Sequence, residues 1–504
     1  MTAHLSFLNR LKKNPIVRGT VILTIGSTIT RIIGFFFRIF LSHTIGAEGI
    51  GIYQLIFPVQ LICYALCTSG FELAISRLVA MNQRKQDVGM RILKCGLILS
   101  LSISLVIAFL VYNNYAWIAN RILFESRCEK LIMWMSLSIP LASIHSCICG
   151  YYLGQKKASV PAWSQLIEQC TRILSIMIIV QVLTEQNIPV TPEIAVIGSF
   201  IGEIFSVLFT LFSISGAERM SARIGAGKVF YFVKPIANLA MPITLNRLML
   251  SVMQSIQSIL IPFCLMESGL SSSEALSLYG ICLGLVIPLI LFPSSFIHSI
   301  CLMLLPTIAE AQEEQTAKLH RTSFYSTKFS AVFGVYCSIM FVTFGNEFGM
   351  LLFHNVQSGK YIQILGLLCP FLYITSTLAS ILNGLGKTST TFAFSVVSTL
   401  IQLGCTILLI PQIGILGYLL GMLFSSVVNT VLHFFVTEKY LGKKLHICSG
   451  MLVPVMVVIA MGLMVYYCNF KFLGASVIIR ILVLGLEGIV MTGVFLYAVY
   501  RVNK

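Results

Sequence analysis

The chain has 504 residues, of which 57 % are hydrophobic and 10 % are charged, and its formal net charge is +16 at pH 7. This composition excludes an ordinary soluble globular protein and is typical of a polytopic helical membrane protein. The basic residues lie mainly in short links between apolar runs, as the positive-inside rule requires, so the charge indicates no nucleic-acid partner.

The first apolar run, residues 20–41, is long enough to span a bilayer but contains two arginines, Arg31 and Arg38. At about 100° per residue these arginines share one narrow helical face with Thr24, Ser27 and Gly34. A charged side chain inside a membrane is costly unless it faces protein or a water-filled cavity. We therefore expect this face to line a cavity that accepts an anion.

Further apolar runs of spanning length give fourteen expected membrane helices. They begin near residues 16, 50, 91, 131, 163, 194, 235, 276, 323, 361, 389, 414, 449 and 474. Lysines and arginines divide 24 to 5 between alternate links, which places both termini in the cytoplasm and favours an even number of helices. The sequence predicts an all-α polytopic membrane protein with about 14 transmembrane helices; twelve would satisfy the same parity.

An internal repeat relates the two halves of the chain. Its anchors are Leu123-Phe124, Pro140 and Gly154, which recur as Leu352-Phe353, Pro370 and Gly384, and Gly198-x3-Gly202, which recurs as Gly417-x3-Gly421. Such motifs are common in membrane proteins, but their shared order in corresponding helices favours a duplication. Six helices separate the copies, so both have the same orientation. We expect an N-lobe over residues 1–225, a C-lobe over residues 226–445 and two additional C-terminal helices over residues 446–504.

The repeat pairs the first expected helix with the seventh, residues 235–262. The polar residues of the seventh helix again share one face: Thr244, Arg247, Ser251, Gln254 and Ser258. Arg31 and Arg247 each lie thirteen residues beyond a cytoplasmic basic residue, about 20 Å into the membrane. We expect these two arginines to face one central anion-binding cavity, with Ser27, Ser251 and Gln254 beside them.

Other polar residues within the expected helices leave their roles open. Glu168 and Arg172 have the i, i+4 spacing of a local ion pair, which we favour over a ligand role. Glu203 fits either a coupling-proton site or a partner for an arginine inside the lobe. Glu72 could neutralise one of the arginines of the first helix, which makes it a weaker site candidate.

The sequence gives little support for a metal centre or an enzyme. His145, Cys147 and Cys149 do not have the spacing of a zinc site, so we expect no bound metal. Asp87 is the only aspartate, and the one acidic pair in a link is Glu313-Glu314. Chemistry on lipid carriers generally uses Mg²⁺ held by clustered acidic groups, so we expect no enzyme activity.

Three stretches carry a family resemblance: RGTVILTIGSTITRIIGFFFRIFLSHTIGAEGIGIYQLIFP with ELAISRLVA, then GYYLGQKKASVPAWSQLIEQCTRIL, then PITLNRLMLSVMQSIQSILIP. Together they resemble the stage V sporulation protein B group, in the oligosaccharide/lipid flippase branch of the multidrug/oligosaccharidyl-lipid/polysaccharide exporter superfamily. The resemblance covers the first twelve helices. It implies a flippase in the bacterial cytoplasmic membrane that moves a polyprenyl-diphosphate-linked saccharide, such as the peptidoglycan precursor lipid II.

The resemblance also implies site residues and partners. Cavity arginines of related flippases are thought to hold the diphosphate, and this role passes to Arg31, Arg38 and Arg247, with Arg18 as a weaker candidate at the cytoplasmic mouth. No cofactor is implied. Sodium or the membrane potential drives some relatives, but their sodium sites are rich in aspartate, so for Na⁺ or H⁺ coupling no site can be assigned here. The implied partners are the lipid-linked oligosaccharide, the bilayer, and cell-wall or sporulation machinery.

Two other functions, a drug/cation antiporter and a structural scaffold, are alternatives to the flippase. A drug/cation antiporter of the same superfamily would share the fold, but cationic drugs call for carboxylates and aromatic rings, whereas the first and seventh helices offer arginines. A structural scaffold without transport gains little from arginines inside its membrane helices.

Overall fold

The computed structural model describes residues 15–82, 86–214, 230–314 and 316–442. Within these ranges every regular element is helical, so the all-α class expected from the sequence is confirmed. The side chain of Arg18 and the two expected C-terminal helices over residues 446–504 lie outside the described part of the chain.

The helices of more than three residues are numbered here in chain order. They are α1 (Pro15–Leu55), α2 (Phe57–Tyr64), α3 (Gly70–Met81), α4 (Gln86–Asn113), α5 (Glu129–Gly154), α6 (Ser159–Glu185), α7 (Glu193–Ser213), α8 (Val233–Glu267), α9 (Ser272–Tyr279), α10 (Ile287–Leu291), α11 (Ser294–Glu314), α12 (Thr316–Phe353), α13 (Val356–Gly366), α14 (Cys369–Gly384), α15 (Thr388–Ile413) and α16 (Ile415–Leu441). Two π-helical segments, Ala65–Ser69 and Gly280–Val286, connect α2 to α3 and α9 to α10.

Ten stretches of the described chain are long and apolar enough to cross a membrane, or eleven if α13 and α14 form one span with a 47° bend. The first stretch, Thr24–Met81, holds the first two expected spans. It is interrupted at Gly46, whose φ of 68° is not helical, and at the π-helical segment. These findings confirm a multi-pass membrane protein, but not the expected total of fourteen spans.

Internal packing divides the chain into two compact units. The first comprises Met1–Phe263 and Ser271–Gly280, and the second comprises Cys264–Leu270 and Ile281–Lys504. Most of α8 therefore packs with the first unit. The lobe boundaries near residues 225 and 445, which rest on the repeat, remain a prediction.

The C-terminal ends of α5 and α14 have the same backbone conformation although their residues differ, as the expected repeat predicts. After α5, Lys156 adopts a φ of 62°, and the N–H of Lys157 donates to the carbonyl of Tyr152 at 2.9 Å. After α14, Gly386 adopts a φ of 75°, and the N–H of Lys387 donates to the carbonyl of Leu382 at 2.8 Å. Both ends are Schellman motifs, and they lie 230 residues apart, which is the offset seen in the sequence.

The paired small residues also have the same role in both copies. A Cβ added to Gly202 of α7 would lie 2.7 Å from the carbonyl oxygen of Glu168 in α6. A Cβ added to Gly421 of α16 would lie 2.5 Å from the Cβ of Cys405 in α15. In each copy the absence of a side chain lets the helix pack tightly against the one before it, as expected where lipid offers no hydrophobic drive for association.

The core of the first unit forms where α3, α4, α5 and α8 meet. Ile75, Ile92, Tyr151 and Ile236 are fully buried there. A Cβ on Gly150 of α5 would lie 2.5 Å from the carbonyl oxygen of Glu72. This close approach sets α3 against α5 and carries Glu72 into the interior of the unit.

Candidate functional site

The arginine face of α1 lies beside α6. Arg31 is exposed and Arg38 is half-buried, while Phe37 and Leu41 point into the protein. An added Cβ on Gly26 would lie 3.1 Å from the Cβ of Ala162, so α1 packs closely on α6 at this level. The face predicted from helical spacing therefore runs along the flank of α1, next to a packed helix.

The side chain of Ser27 is used locally. Its hydroxyl donates to the carbonyl of Thr24 at 3.0 Å, a bond within the same helix. Such a hydroxyl is satisfied without a ligand, although it can also accept one hydrogen bond. The ligand role of Ser27 stays a prediction.

The polar face of α8 divides between exposed and buried residues. Arg247 and Gln254 are exposed, whereas Ser251 is buried. The buried hydroxyl of Ser255, one residue past the predicted face, donates to the carbonyl of Pro58 in α2 at 2.8 Å. A backbone carbonyl can accept two hydrogen bonds, and Ser255 uses that of Pro58 to fix α8 against α2.

Glu72 of α3 lies near Arg247 of α8. It is half-buried and within electrostatic range of Arg247 and His145. The hydroxyl of Ser146 donates to its Oε2 atom at 3.4 Å. The carboxylate thus sits between the cationic face of α8 and the interior of α5.

Arg172 of α6 adds a further cation to this side of the unit. Its guanidinium carbon lies 5.7 Å from the ring centroid of Phe37, and it is near enough to Arg38 for the two charges to repel each other. The expected ion pair with Glu168 is present, but at 3.8 Å. Arg172 also donates to Gln169, and its Nε atom is buried without a partner. Guanidinium groups on neighbouring helices such as these can bind an anion in addition to Glu168.

A buried polar cluster joins α5, α6 and α7. Nδ1 of His145 lies 3.1 Å from Oε1 of Glu203, and Nε2 of His145 lies 2.5 Å from the hydroxyl of Ser164. The hydroxyls of Ser164 and Ser206 are 2.8 Å apart. Glu203, which the sequence left between a proton site and a partner for an arginine, therefore pairs with a histidine.

The spacing of polar residues in the sequence contains a signal for this cluster. Ser164 and Glu168 are four residues apart, and Glu203 and Ser206 are three apart, so each pair shares a helical face. His145 was considered only together with Cys147 and Cys149. Cys147 in fact turns away, with its sulfur 3.8 Å from the carbonyl oxygen of Gly96.

A second charged group lies between the end of α1 and the start of α5. Arg127, just before α5, pairs with Glu48 near the end of α1 at 2.6 Å and with Glu125 at 2.7 Å. Ser272, the first residue of α9, donates to Glu125 at 3.2 Å. The group ties three segments of the first unit together: the end of α1, the stretch before α5 and the start of α9.

Comparison with protein families finds that residues 16–312 match the family described as polysaccharide biosynthesis protein. Stage V sporulation protein B of Bacillus subtilis is 23 % identical over 445 residues, which cover 86 % of this chain and 85 % of that protein. Lipid II flippase MurJ of the same organism is 27 % identical over 174 residues, which cover 32 % of each chain.

Solved structures share the fold at low identity. A structure of lipid II flippase MurJ in an inward closed conformation has a TM-score of 0.68 at 15 % identity, and the match covers 94 % of this chain and 98 % of that one. An inward-facing transporter of the multidrug resistance MATE family, in the MOP superfamily, has a TM-score of 0.67 at 13 % identity, with 84 % and 98 % coverage. The described helices are thus arranged as in transporters of this superfamily.

Proposed function

We propose, from the premise that this chain belongs to the polysaccharide biosynthesis protein family, that it is a flippase for a polyprenyl-diphosphate-linked saccharide. Relatives named as a sporulation protein and as a lipid II flippase support this substrate class. Lipid II is the first member of the class to test.

The observation that carries the proposal is the set of four arginines on three helices of the first unit. Arg31 and Arg38 lie on α1, Arg172 on α6 and Arg247 on α8. Arg38 and Arg172 are close enough to repel each other, so the arrangement is stabilised when an anion binds. A diphosphate is the anionic part of a polyprenyl-linked saccharide.

Guanidinium groups suit this ligand for two reasons. Each presents a planar fork of N–H donors that matches two phosphate oxygens, and it keeps its charge when water is excluded. The polyprenyl tail can remain in the bilayer while the diphosphate and saccharide pass the arginines. The step requires no covalent change, in keeping with relatives named as flippases and transporters rather than enzymes.

The cationic side chains also distinguish this role from drug export. A site for a cationic drug would place carboxylates and aromatic rings where α1 and α8 present Arg31, Arg38 and Arg247. The structural likeness to MATE transporters therefore supports a common fold with a different ligand.

The same proposal covers location and partners. We place the protein in the bacterial cytoplasmic membrane with both termini in the cytoplasm, following the 24 to 5 division of basic residues. The lipid-linked oligosaccharide is its substrate, and the machinery that builds cell wall or spore envelope supplies and uses it. This function requires no cofactor.

The test uses purified protein in liposomes containing fluorescent lipid II, with the outer-leaflet fraction followed over time. Wild-type protein should redistribute the label, and Arg31→Gln or Arg247→Gln should slow this at least tenfold, because each lost charge-assisted contact is worth about 1.5–3 kcal/mol. Arg121→Gln is the matched control, since Arg121 is exposed in the link before α5. Unchanged flipping by the Arg31→Gln/Arg247→Gln double variant would refute the role of the arginines.

A binding measurement separates substrate recognition from transport. Farnesyl diphosphate, with farnesol as the uncharged comparison, can be titrated into detergent-solubilised protein. We expect binding of the diphosphate only, weakened at least tenfold in Arg38→Gln and Arg172→Gln. Equal affinity for farnesol would show that the diphosphate is not the recognised group.

A further inference from the structure

The buried cluster of α5, α6 and α7 is separate from the arginines in its composition. It contains two carboxylates, Glu168 and Glu203, and one imidazole, His145. One atom from each, able to bind a cation, lies within 4.8 Å of the others. Glu203 is 8 % exposed, and it lies ten residues from each end of α7, or about 15 Å from either end of the helix.

The two carboxylates of this cluster differ in their ion pairs. Glu168 lies 3.8 Å from Arg172, whereas the ion-pair partner of Glu203 is His145. With His145 neutral, the described residues leave the buried Glu203 without a cationic partner, which is strongly unfavourable. A single proton on His145 supplies that partner.

The hydrogen bonds of His145 suit both protonation states. In the neutral state, Nδ1–H donates to Glu203 and Nε2 accepts from the hydroxyl of Ser164. In the charged state, Nε2–H donates to Ser164, which rotates its own hydrogen towards Ser206 at 2.8 Å. A hydroxyl can donate and accept in turn, so a proton can be added or removed without leaving any buried group unsatisfied.

Groups on the neighbouring helices surround the cluster, and from α1, which packs on α6, Arg38 lies within electrostatic range of Arg172. The titratable and charged groups facing it are Tyr64 of α2, Glu72 of α3, Cys149 of α5, Glu168 and Arg172 of α6 and Glu203 of α7. From α4 the contact at this level is uncharged, since Ser100 meets Ser143 at 2.6 Å, while Arg91 and Lys94 lie nearer the start of α4. Glu72 interacts with both His145 and Arg247, so it connects the cluster electrostatically to the proposed diphosphate site.

We infer that His145, Glu203 and Glu168 form a buried proton-binding site, and that the proton held there is the ion coupled to substrate movement. The coupling part rests on the proposed flippase function; the proton site does not. When Arg247 engages a diphosphate, Glu72 loses part of its cationic compensation, which favours the binding of a proton by Glu72 and His145. Substrate binding and proton uptake are thereby connected through Glu72.

A metal ion fits the same atoms less well. Na⁺ prefers oxygen ligands, and a nitrogen-binding divalent metal would have to replace the existing hydrogen bond between His145 and Glu203. The proton uses that bond as it stands.

The first test reads the protonation state directly. Protein labelled with ¹⁵N-histidine should show an imidazolium signal at neutral pH that is absent in His145→Gln and becomes a neutral imidazole signal in Glu203→Gln. Glu193→Gln, on the same helix but at its edge, is the matched control and should leave the signal unchanged. A neutral His145 in wild-type protein, or loss of the imidazolium on replacing choline chloride by sodium chloride, would overturn the proton site.

The second test addresses coupling. In liposomes, an imposed pH gradient should accelerate lipid II flipping by wild-type protein at least threefold and should have no effect on His145→Gln. Should wild-type protein flip lipid II equally fast without a gradient, the coupling is refuted and the flippase stands. Should it flip nothing while the imidazolium signal behaves as expected, the flippase is refuted and the proton site stands. If Glu203→Gln fails to fold, Ser164→Ala serves instead, and it should weaken the imidazolium signal.

Discussion

Arg127 holds the carboxylate of Glu125 through two parallel hydrogen bonds, of 2.7 Å from Nε to Oε1 and 3.0 Å from Nη2 to Oε2. The remaining nitrogen, Nη1, donates to Glu48 of α1 at 2.6 Å. This two-bonded geometry is the strongest form of an arginine–carboxylate contact. One guanidinium therefore joins the end of α1 to the start of α5, 79 residues apart.

This contact makes stability depend on pH in a defined direction. Hydrogen bonds from Arg127 hold the pKa of Glu125 below its usual range, partly offset by burial. A lowered folded-state pKa gives stability that is present above the unfolded pKa of about 4.3 and is lost as pH falls through the folded value. We expect Glu125→Gln to lower the melting temperature at neutral pH, and the gap from wild type to close in acid below about pH 4.

The control for this prediction is Glu193→Gln. Glu193 pairs with the exposed Lys130 at 3.7 Å, a solvent-exposed pair that is worth about 0–1 kcal/mol at most. Its melting temperature should follow that of wild type throughout. A gap for Glu125→Gln that persists unchanged in acid would show that Arg127 does not act through the charged carboxylate.

The two Schellman motifs predict opposite effects for reciprocal substitutions. Lys156 holds a left-handed conformation that costs a non-glycine residue about 1–2 kcal/mol, so Lys156→Gly should raise the free energy of unfolding. Gly386→Ala should lower it by a similar amount, because Gly386 occupies the matching position. Thermal unfolding in detergent measures both, and effects of the same sign would mean that the two helix ends are not equivalent.

Close helix packing at Gly202 can be tested against a glycine in open space. Gly202→Ala would place its Cβ 2.7 Å from the carbonyl oxygen of Glu168, so we expect a loss of about 1–3 kcal/mol. Gly404→Ala, also within a helix but with no atom within 4 Å, should stabilise by about 0.5–1 kcal/mol. Chemical or thermal unfolding distinguishes the two, and equal effects would contradict the tight contact between α6 and α7.

The bond from Ser255 to Pro58 gives a test of how α8 is held. Ser255→Ala removes the donor to the Pro58 carbonyl and should cost about 0.5–1.5 kcal/mol, lowering the melting temperature by a few degrees. Ser102→Ala is the control, because its hydroxyl is exposed and bonds only within α4. Identical melting temperatures for Ser255→Ala and wild type would show that this hydrogen bond does not stabilise the packing of α8 on α2.

Much of the fold follows from patterns that sequence displays directly. Apolar runs gave the described spans, because a bilayer requires about 20 apolar residues per helix. The repeat followed from Pro140 and Pro370 and from the paired glycines. The bend between α13 and α14 did not, since Pro140 sits inside an unbroken helix while Pro370 starts a new one.

The site was predictable in part. Helical spacing identified Arg31, Arg38 and Arg247, because a charge in an apolar run is conspicuous. The pairing of His145 with Glu203 depends on which of several neighbouring helices α5 packs against, and no local pattern reports that choice. Arg172 was read as a local partner of Glu168, and its proximity to Arg38 likewise arises only from the packing of α1 on α6.

The 47° bend at the α13–α14 boundary has no counterpart in α5, the corresponding helix of the other copy of the expected repeat. The helix α5 is continuous through Pro140. It therefore behaves as one rigid element, and it carries His145 of the proposed proton site. Its counterpart changes direction at Leu367 and Leu368, next to Pro370, which has no N–H to donate to the preceding turn. The two copies of the expected repeat thus differ: one is a continuous helix, suited to holding charges at fixed distances, and the other is a bent pair of helices, suited to a change of shape.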